Sequence, residues 1–278
     1  MRQIAAGNED YTPRGGASTC LGLLHDSCWL VLDPWAAAGW RPYRLGMSTR
    51  LYLVRHGATQ LTAENRFAGA VGVDLSEEGR AQVRQLAERI AGDGIAAVYA
   101  SPFGRTVETA EILARPLGLS PILEDGLREI SHGRWEGLTR NEVEERFPGE
   151  YEAWEADPFT FAPVDGETGL AVLARALPAI RKIVTAHLGA RVLVVSHKAT
   201  LRLVLASILG MDARGYRDRL DQSPACLNVV DFKDPSRARL MLFNDVSHYA
   251  DQPRAAGRDL SRWWDAEPAG AEVKRSSR

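Results

Sequence analysis

The sequence predicts an α/β protein, a three-layer α/β/α sandwich with a mostly parallel central sheet. Three observations carry that expectation. Strand-like and helix-like segments alternate from residue 49 to residue 249, the pattern of strand–helix–strand units. Residues 192–195 are continuously apolar, as in a strand covered on both faces. Several strand-like runs end in clusters of Arg, His and Ser, and ligands of open α/β sheets bind at the carboxyl ends of strands.

The elements follow in order. Residues 51–54 form a short apolar strand, ended by Arg55, His56 and Gly57. Ser76 caps a helix with Glu77 and Glu78 in its first turn, and Val83, Leu86, Ala87 and Ile90 give it an apolar face at i, i+3, i+4 and i+7 spacing. A second strand spans 95–100 and ends at Ser101 and Pro102. A helix over 106–114 follows, stopped by Pro116. Thr139 and Glu142 make a capping box for a helix reaching Phe147. Leu170, Leu173, Leu177, Ile180 and Val184 describe a long amphipathic helix, which Pro178 is expected to kink or break. The strand at 192–195 leads to Ser196 and His197, then to a helix presenting Leu201, Val204, Leu205 and Ile208 and stopping at Gly210. Strands at 227–232 and 239–243 flank Asp234 and Pro235 as a hairpin-like pair.

Composition narrows the function classes. The chain has 278 residues, 45% apolar and 25% charged, enough for a sizeable core. Its 34 basic residues nearly balance 36 acidic ones, for a net charge of −2, which argues against a dedicated nucleic-acid binder. Cys20, Cys28 and Cys226 are too few and scattered for a disulfide scaffold or a zinc site, so a reducing compartment is expected, most simply the cytoplasm. The apolar stretch at 28–40 is interrupted by Asp33 and Pro34 and is too short to span a bilayer, so no membrane partner is expected.

Three regions emerge. Residues 1–48 mix Gly, Pro, Trp and Arg without a period and read as an N-terminal extension, poorly ordered or artefactual. Met47 directly precedes the first strand and is the expected start if residues 1–46 are not native. Residues 49–249 form the folded domain. Residues 250–278, rich in Arg, Asp, Ala and Ser, read as a flexible tail in which Trp263 and Trp264 either dock back or stay free.

The chemistry concentrates at strand ends. Two histidines (His56, His197), two arginines (Arg55, Arg105) and one carboxylate (Glu129) converging on one crevice would make a phosphate site with a nucleophile and an acid. Each has a plainer explanation alone: a histidine after a strand is more often a satisfied polar group, and Arg55, Arg105 and Glu129 alone read as surface charges. The odds change because His56 is bracketed by Arg55 and Gly57, and because a second strand ends the same way. Gly57 lets backbone approach an anion closely.

These residues resemble a known family. Arg55, His56 and Gly57 after an apolar strand resemble the Arg-His-Gly signature of the histidine phosphatase superfamily, also called phosphoglycerate mutase-like. Residues 65–69, 75–79, 100–105 with Thr109 and Ala110, 127–130 with 133–137, and 195–197 resemble its further motifs in the family's order. The likeness covers roughly residues 50–249 and implies the phosphoglycerate mutase-like fold. It also implies roles: His56 as nucleophile, Glu129 as acid and then base, and Arg55, Arg105 and His197 as holders of the phosphoryl oxygens. Thr62 falls where many members carry a phosphate-touching Asn. Ala68 and Gly69 fall where the loop meets substrate through backbone. His132, Ser196 and Lys198 complete the implied substrate contacts. Lys198 hints at a second anionic group, a solvated lysine being the alternative. No cofactor and no metal are implied.

The resemblance leaves phosphatase, mutase and silent phospho-ligand binder as alternatives. The family's mutases carry a longer, more basic insertion between the acid and the second histidine. Here residues 130–196 are short and rich in Glu, which favours a phosphatase acting on a small phosphorylated metabolite. Trp135, Phe147, Tyr151 and Trp154 either line the pocket or form the core of a small helical cap. Asp221, Gln222, Ser223 and the hairpin are expected at the pocket rim. Edge strands near Phe232 or Phe243 could pair two subunits into a homodimer.

Overall fold

A computed structural model of the chain describes residues 48–250 and Arg262. Its strands are β1 (Thr49–Arg55), β2 (Ala97–Ala100), β3 (Pro121–Leu123), β4 (Arg191–Ser196), β5 (Leu227–Asp234) and β6 (Arg237–Asp245). Its helices are α1 (Gln60–Ala63), α2 (Glu77–Ile90), α3 (Gly104–Ala114), α4 (Arg140–Arg146), α5 (Pro148–Ala156), α6 (Gly169–Ala186), α7 (Lys198–Ile208) and α8 (Tyr216–Arg219). Strand order is β3-β2-β4-β1-β5-β6, the first four mutually parallel and β5 and β6 antiparallel.

Pleat alternation builds the three layers. Leu51, Leu53, Val192 and Val194 point to one face and pack with Val172, Ile180 and Ile183 of α6 and Leu201 and Leu205 of α7. Tyr52, Val54, Leu193 and Val195 point to the other and pack with Val83, Leu86 and Ile90 of α2 and Leu113 of α3. The central strands are therefore buried on both faces, as the unbroken apolar run at 192–195 predicts. Ser76 accepts from the Gly79 amide at 3.0 Å to cap α2, and Thr139 and Glu142 form the expected capping box of α4. The β3 strand escaped the sequence reading because it is three residues long and half exposed.

Several local details differ from expectation. Pro178 neither breaks nor ends α6, which runs continuously with Pro178 exposed. The buried stripe is Val172, Ala176, Ala179, Ile180, Ile183 and Val184, while Leu170 is 53% exposed, so the apolar face is rotated from the one expected. The edge-strand expectation holds for Phe243 on β6 but not for Phe232, because β5 lies between β1 and β6. The turn at Asp234 and Pro235 cannot shape the rim either. The register Thr49↔Phe232 puts it at the end of the sheet opposite Arg55.

A third cluster, Phe67, Trp135, Val143, Tyr151 and Trp154, forms a cap over the carboxyl end of the sheet. Trp135 is fully buried, its ring 5.4 Å from that of Phe67, and its indole N–H donates to Glu150. Trp135→Ala is expected to cost about 3–5 kcal/mol, read as a fall in Tm. Because Phe67 belongs to the loop bearing Ala68 and Gly69, KM should rise in the same variant.

Expectations for residues 1–47, Cys20 and Cys28, Trp263 and Trp264 lie outside the described residues. Cys226 is a buried free thiol whose pKa burial pushes up to about 12. Arg262 donates to Glu144 at 2.7 Å and lies over the Tyr151 ring. Among the described residues, no helix is long and apolar enough to cross a membrane.

Candidate active site

Strand register brings the two histidines together. β1 and β4 are parallel neighbours with Arg55 opposite Ser196, so the next residue of each, His56 and His197, leaves the sheet side by side. Their ring centroids are 5.3 Å apart, and both residues are buried. The His56 amide donates to the Ser196 carbonyl at 3.1 Å.

The geometry of His56 follows from its neighbours. His56 Nδ1 is 2.8 Å from the Gly57 carbonyl oxygen. A carbonyl can only accept, so Nδ1 carries the hydrogen and Nε2 presents its lone pair. Gly57 is required because a Cβ there would meet the Gly79 carbonyl oxygen at 2.7 Å and Val83 Cγ2 at 2.9 Å, where the first turn of α2 packs against this loop. Burial, then the charges of Arg55 and Arg105, hold the His56 pKa well below 6.5 and keep the imidazole neutral.

Both arginines are anchored and retain donors. Arg55 donates through Nη1 to the Gln222 carbonyl at 2.6 Å. Arg105, on the first turn of α3, donates through Nη2 to Gly69 at 2.7 Å and through Nη1 to Val71 at 2.9 Å. In each, Nε–H is buried without a partner. Orphaned guanidinium donors beside a neutral histidine match the needs of a phosphoryl dianion.

Glu129 reaches the same cavity from the loop after β3. Its carboxylate accepts from the amides of Ile130, Ala199 and Thr200 at 3.0–3.2 Å, which docks it on the N-terminus of α7. Arg175 of α6 clamps this loop, donating to the carbonyls of Gly126, Arg128 and Glu129 and to Glu167. Opposite, Gly69 adopts φ +45° beside the Glu136 carboxylate, where any side chain would collide. Glu136 accepts from Ala70 and His132 amides and the Ser131 hydroxyl, tying the two loops together.

Arg55, His56, Arg105, Glu129, Thr62, Ala68, Gly69, His132 and Lys198 all line one cavity of about 160 Å³. His197 is fully buried and is not among the residues that line the cavity, although its ring centroid is 5.3 Å from that of His56. Thr62 shares a hydrogen bond with the Thr59 hydroxyl at 3.0 Å, and Lys198 pairs with Asp221 at 3.4 Å. Ser196 must be corrected. It alternates with Val192 and Val194 onto the α6–α7 face, where its hydroxyl donates to the Leu127 carbonyl at 2.8 Å, so it braces the acid loop instead of meeting substrate. Asp221, Gln222 and Ser223 do not line the cavity; Gln222 is buried and holds Arg55 through its carbonyl. Of the cap aromatics, Trp154 lines the cavity while Trp135 and Tyr151 are buried core and Phe147 packs against them.

Sequence reasoning missed Asn65, Arg202, Tyr216 and Arg217 in the lining. Arg202 had a signal, lying one turn after Lys198 on α7 and paired with Asp221 at 2.8 Å. Arg175 had one too, an arginine beside the apolar stripe positions Val172 and Ala176. Arg217, which stacks over Trp154 at 4.5 Å and pairs with Asp218, had none.

The buried imidazoles of His56 and His197 and the half-buried ones of His132 and His248 set the pH response. His56, His132, His197 and His248 have pKa values below 6.5, burial being the main cause in each, and His248 falls to about 4. The unfolded chain binds these protons near pH 6.5 while the native chain refuses them, so stability is lost as pH falls below that value. Each depressed imidazole contributes up to about 1.4 kcal/mol per pH unit. Tm should be steady above about pH 7 and fall by about pH 5.5. A flat Tm across that window would mean these rings charge freely in the native state.

The profile described as histidine phosphatase superfamily (branch 1) matches residues 51–246. The chain is 37% identical over 212 residues to the bifunctional protein Rv2228c of Mycobacterium tuberculosis, a match covering 76% of this chain but 57% of that protein. The probable phosphoglycerate mutase GpmB of Enterobacter sp. (strain 638) is 33% identical over 207 residues, covering 72% of this chain and 94% of its own. Among solved structures, the mycobacterial glucosyl-3-phosphoglycerate phosphatase superposes with a TM-score of 0.65 at 28% identity, covering 71% of this chain and 99% of its own.

The α/β/α sandwich carries paired histidines at the ends of adjacent parallel strands. The chain belongs to the histidine phosphatase superfamily, branch 1.

Proposed function

We propose that the chain hydrolyses a small phosphomonoester through a phosphohistidine at His56. The observation that carries this is the single cavity in which a neutral His56, with its Nε2 lone pair available, meets two anchored arginines with orphaned N–H donors. Nε2 attacks phosphorus in line, the N–P bond forms as the ester P–O bond breaks, and Glu129 gives the leaving oxygen its proton. Water then attacks the phosphohistidine while Glu129 takes back a proton, and the N–P bond breaks to release phosphate. Arg55 and Arg105 neutralise the equatorial oxygens throughout, a contribution of about 10²–10³ in rate for each fixed donor.

The mutase-named relative keeps isomerisation as the second reading. Its test is a panel of phosphomonoesters, phosphoglycerates included, with free phosphate and isomerised product measured together. Phosphate release that persists in EDTA is the expected result. Isomerisation without net phosphate would make the chain a mutase, and phosphate release lost to EDTA would overturn the charge-neutralising role given to the arginines.

A further inference from the structure

We propose that Ser101 is a positioning residue that fixes the tautomer of His197, so that His197 Nδ1–H serves as a phosphoryl donor. The inference rests on the phosphatase reading and concerns its second histidine. Ser101 sits directly after β2, where its amide donates to Val195 of β4 at 3.0 Å and its carbonyl accepts from the Thr106 hydroxyl at 2.9 Å. Backbone and side chain are thus fixed before any ligand arrives, and the residue is fully buried.

The Ser101 hydroxyl is 2.7 Å from His197 Nε2. Two proton arrangements satisfy that distance. If Nε2–H donates to the hydroxyl, the hydroxyl hydrogen has no other acceptor among the described residues. Nδ1, which is buried without a partner, would then face its surroundings as a bare lone pair. That arrangement orphans two buried groups. If the hydroxyl instead donates to Nε2, its hydrogen is satisfied and Nδ1 carries a hydrogen. One orphan is left, and it is a donor.

The charged arrangement, with hydrogens on both nitrogens, is disfavoured. Burial, then the charge of Arg105, holds the His197 pKa well below 6.5. A neutral histidine can offer a phosphoryl oxygen a hydrogen bond only through the tautomer that Ser101 selects. Ser101 opens the β2–α3 loop and Arg105 sits on the first turn of α3 just beyond it, so one short segment would supply a guanidinium directly and a histidine donor indirectly.

The test uses full-length protein labelled with ¹⁵N-histidine, whose two-bond ¹H–¹⁵N correlations report the tautomer of each ring, recorded with and without inorganic phosphate. His197 is expected as the Nδ1–H form in the wild type, with the Nδ1 signal shifting on phosphate addition. Ser101→Ala should lose the pure Nδ1–H form and lower kcat/KM by about 10²-fold. Ser101→Thr, which keeps a hydroxyl, should restore both. A wild-type His197 in the Nε2–H form overturns the proposal even if Ser101→Ala does not fold. So does a Ser101→Ala protein with an unchanged tautomer and unchanged kcat/KM. Failure of the underlying phosphatase reading looks different: no turnover by the wild type, whichever tautomer His197 holds.

Discussion

His56→Ala is expected to remove phosphomonoester turnover by about 10⁴-fold or more, because no other group in the cavity can take over covalent attack. The neighbouring His197 cannot substitute. Its Nε2 is engaged with Ser101, and the ring is wholly buried. Glu129 is docked on the amides at the start of α7. Fold and cavity should survive, since the His56 amide and carbonyl make its structural bonds, to Ser196 and from Ala225. Circular dichroism and Tm near wild type, together with loss of acid-labile ³²P labelling, would complete the result. Retained labelling in the folded variant would remove His56 from the nucleophile's role.

The order of elements and the principal site residues were legible in the sequence because both rest on local rules. Apolar periodicity marked α2, an unbroken apolar run marked β4, and a capping box marked α4. The pairing of His56 with His197 needed one step more, the adjacency of β1 and β4, and the family resemblance supplied it. What stayed illegible depends on long-range geometry. Ser196 and His197 are sequence neighbours, yet the pleat sends one hydroxyl to Leu127 and leaves the next ring beside His56. Pro178 looked like a helix breaker, but the surrounding α6 face, with Val172, Ala176 and Ile180 buried on the sheet, holds the helix through it. The anchoring of Arg55 passes through Gln222, which is 167 residues away and in turn hydrogen-bonded to Asn228 of β5. No local pattern announces such a contact.

Glu129→Gln is expected to separate the two halves of the reaction. An alkyl phosphomonoester leaves as a strongly basic alkoxide and needs a proton, so its turnover should fall by about 10²–10⁴-fold. A p-nitrophenolate leaves without one. With p-nitrophenyl phosphate the variant should therefore still phosphorylate His56 quickly, yet hydrolyse the phosphohistidine slowly, because Glu129 also activates the water. The trace should show a burst of nitrophenolate equal to the enzyme concentration, followed by a slow steady state. Glutamine is nearly isosteric, and its single side-chain oxygen can still accept from one of the two α7 amides that hold Glu129. Equal losses with both leaving groups and no burst would mean that Glu129 organises the site without transferring a proton. The acid's place would then have to pass to another lining group, with His132, neutral and half-buried in the same cavity, the first to replace.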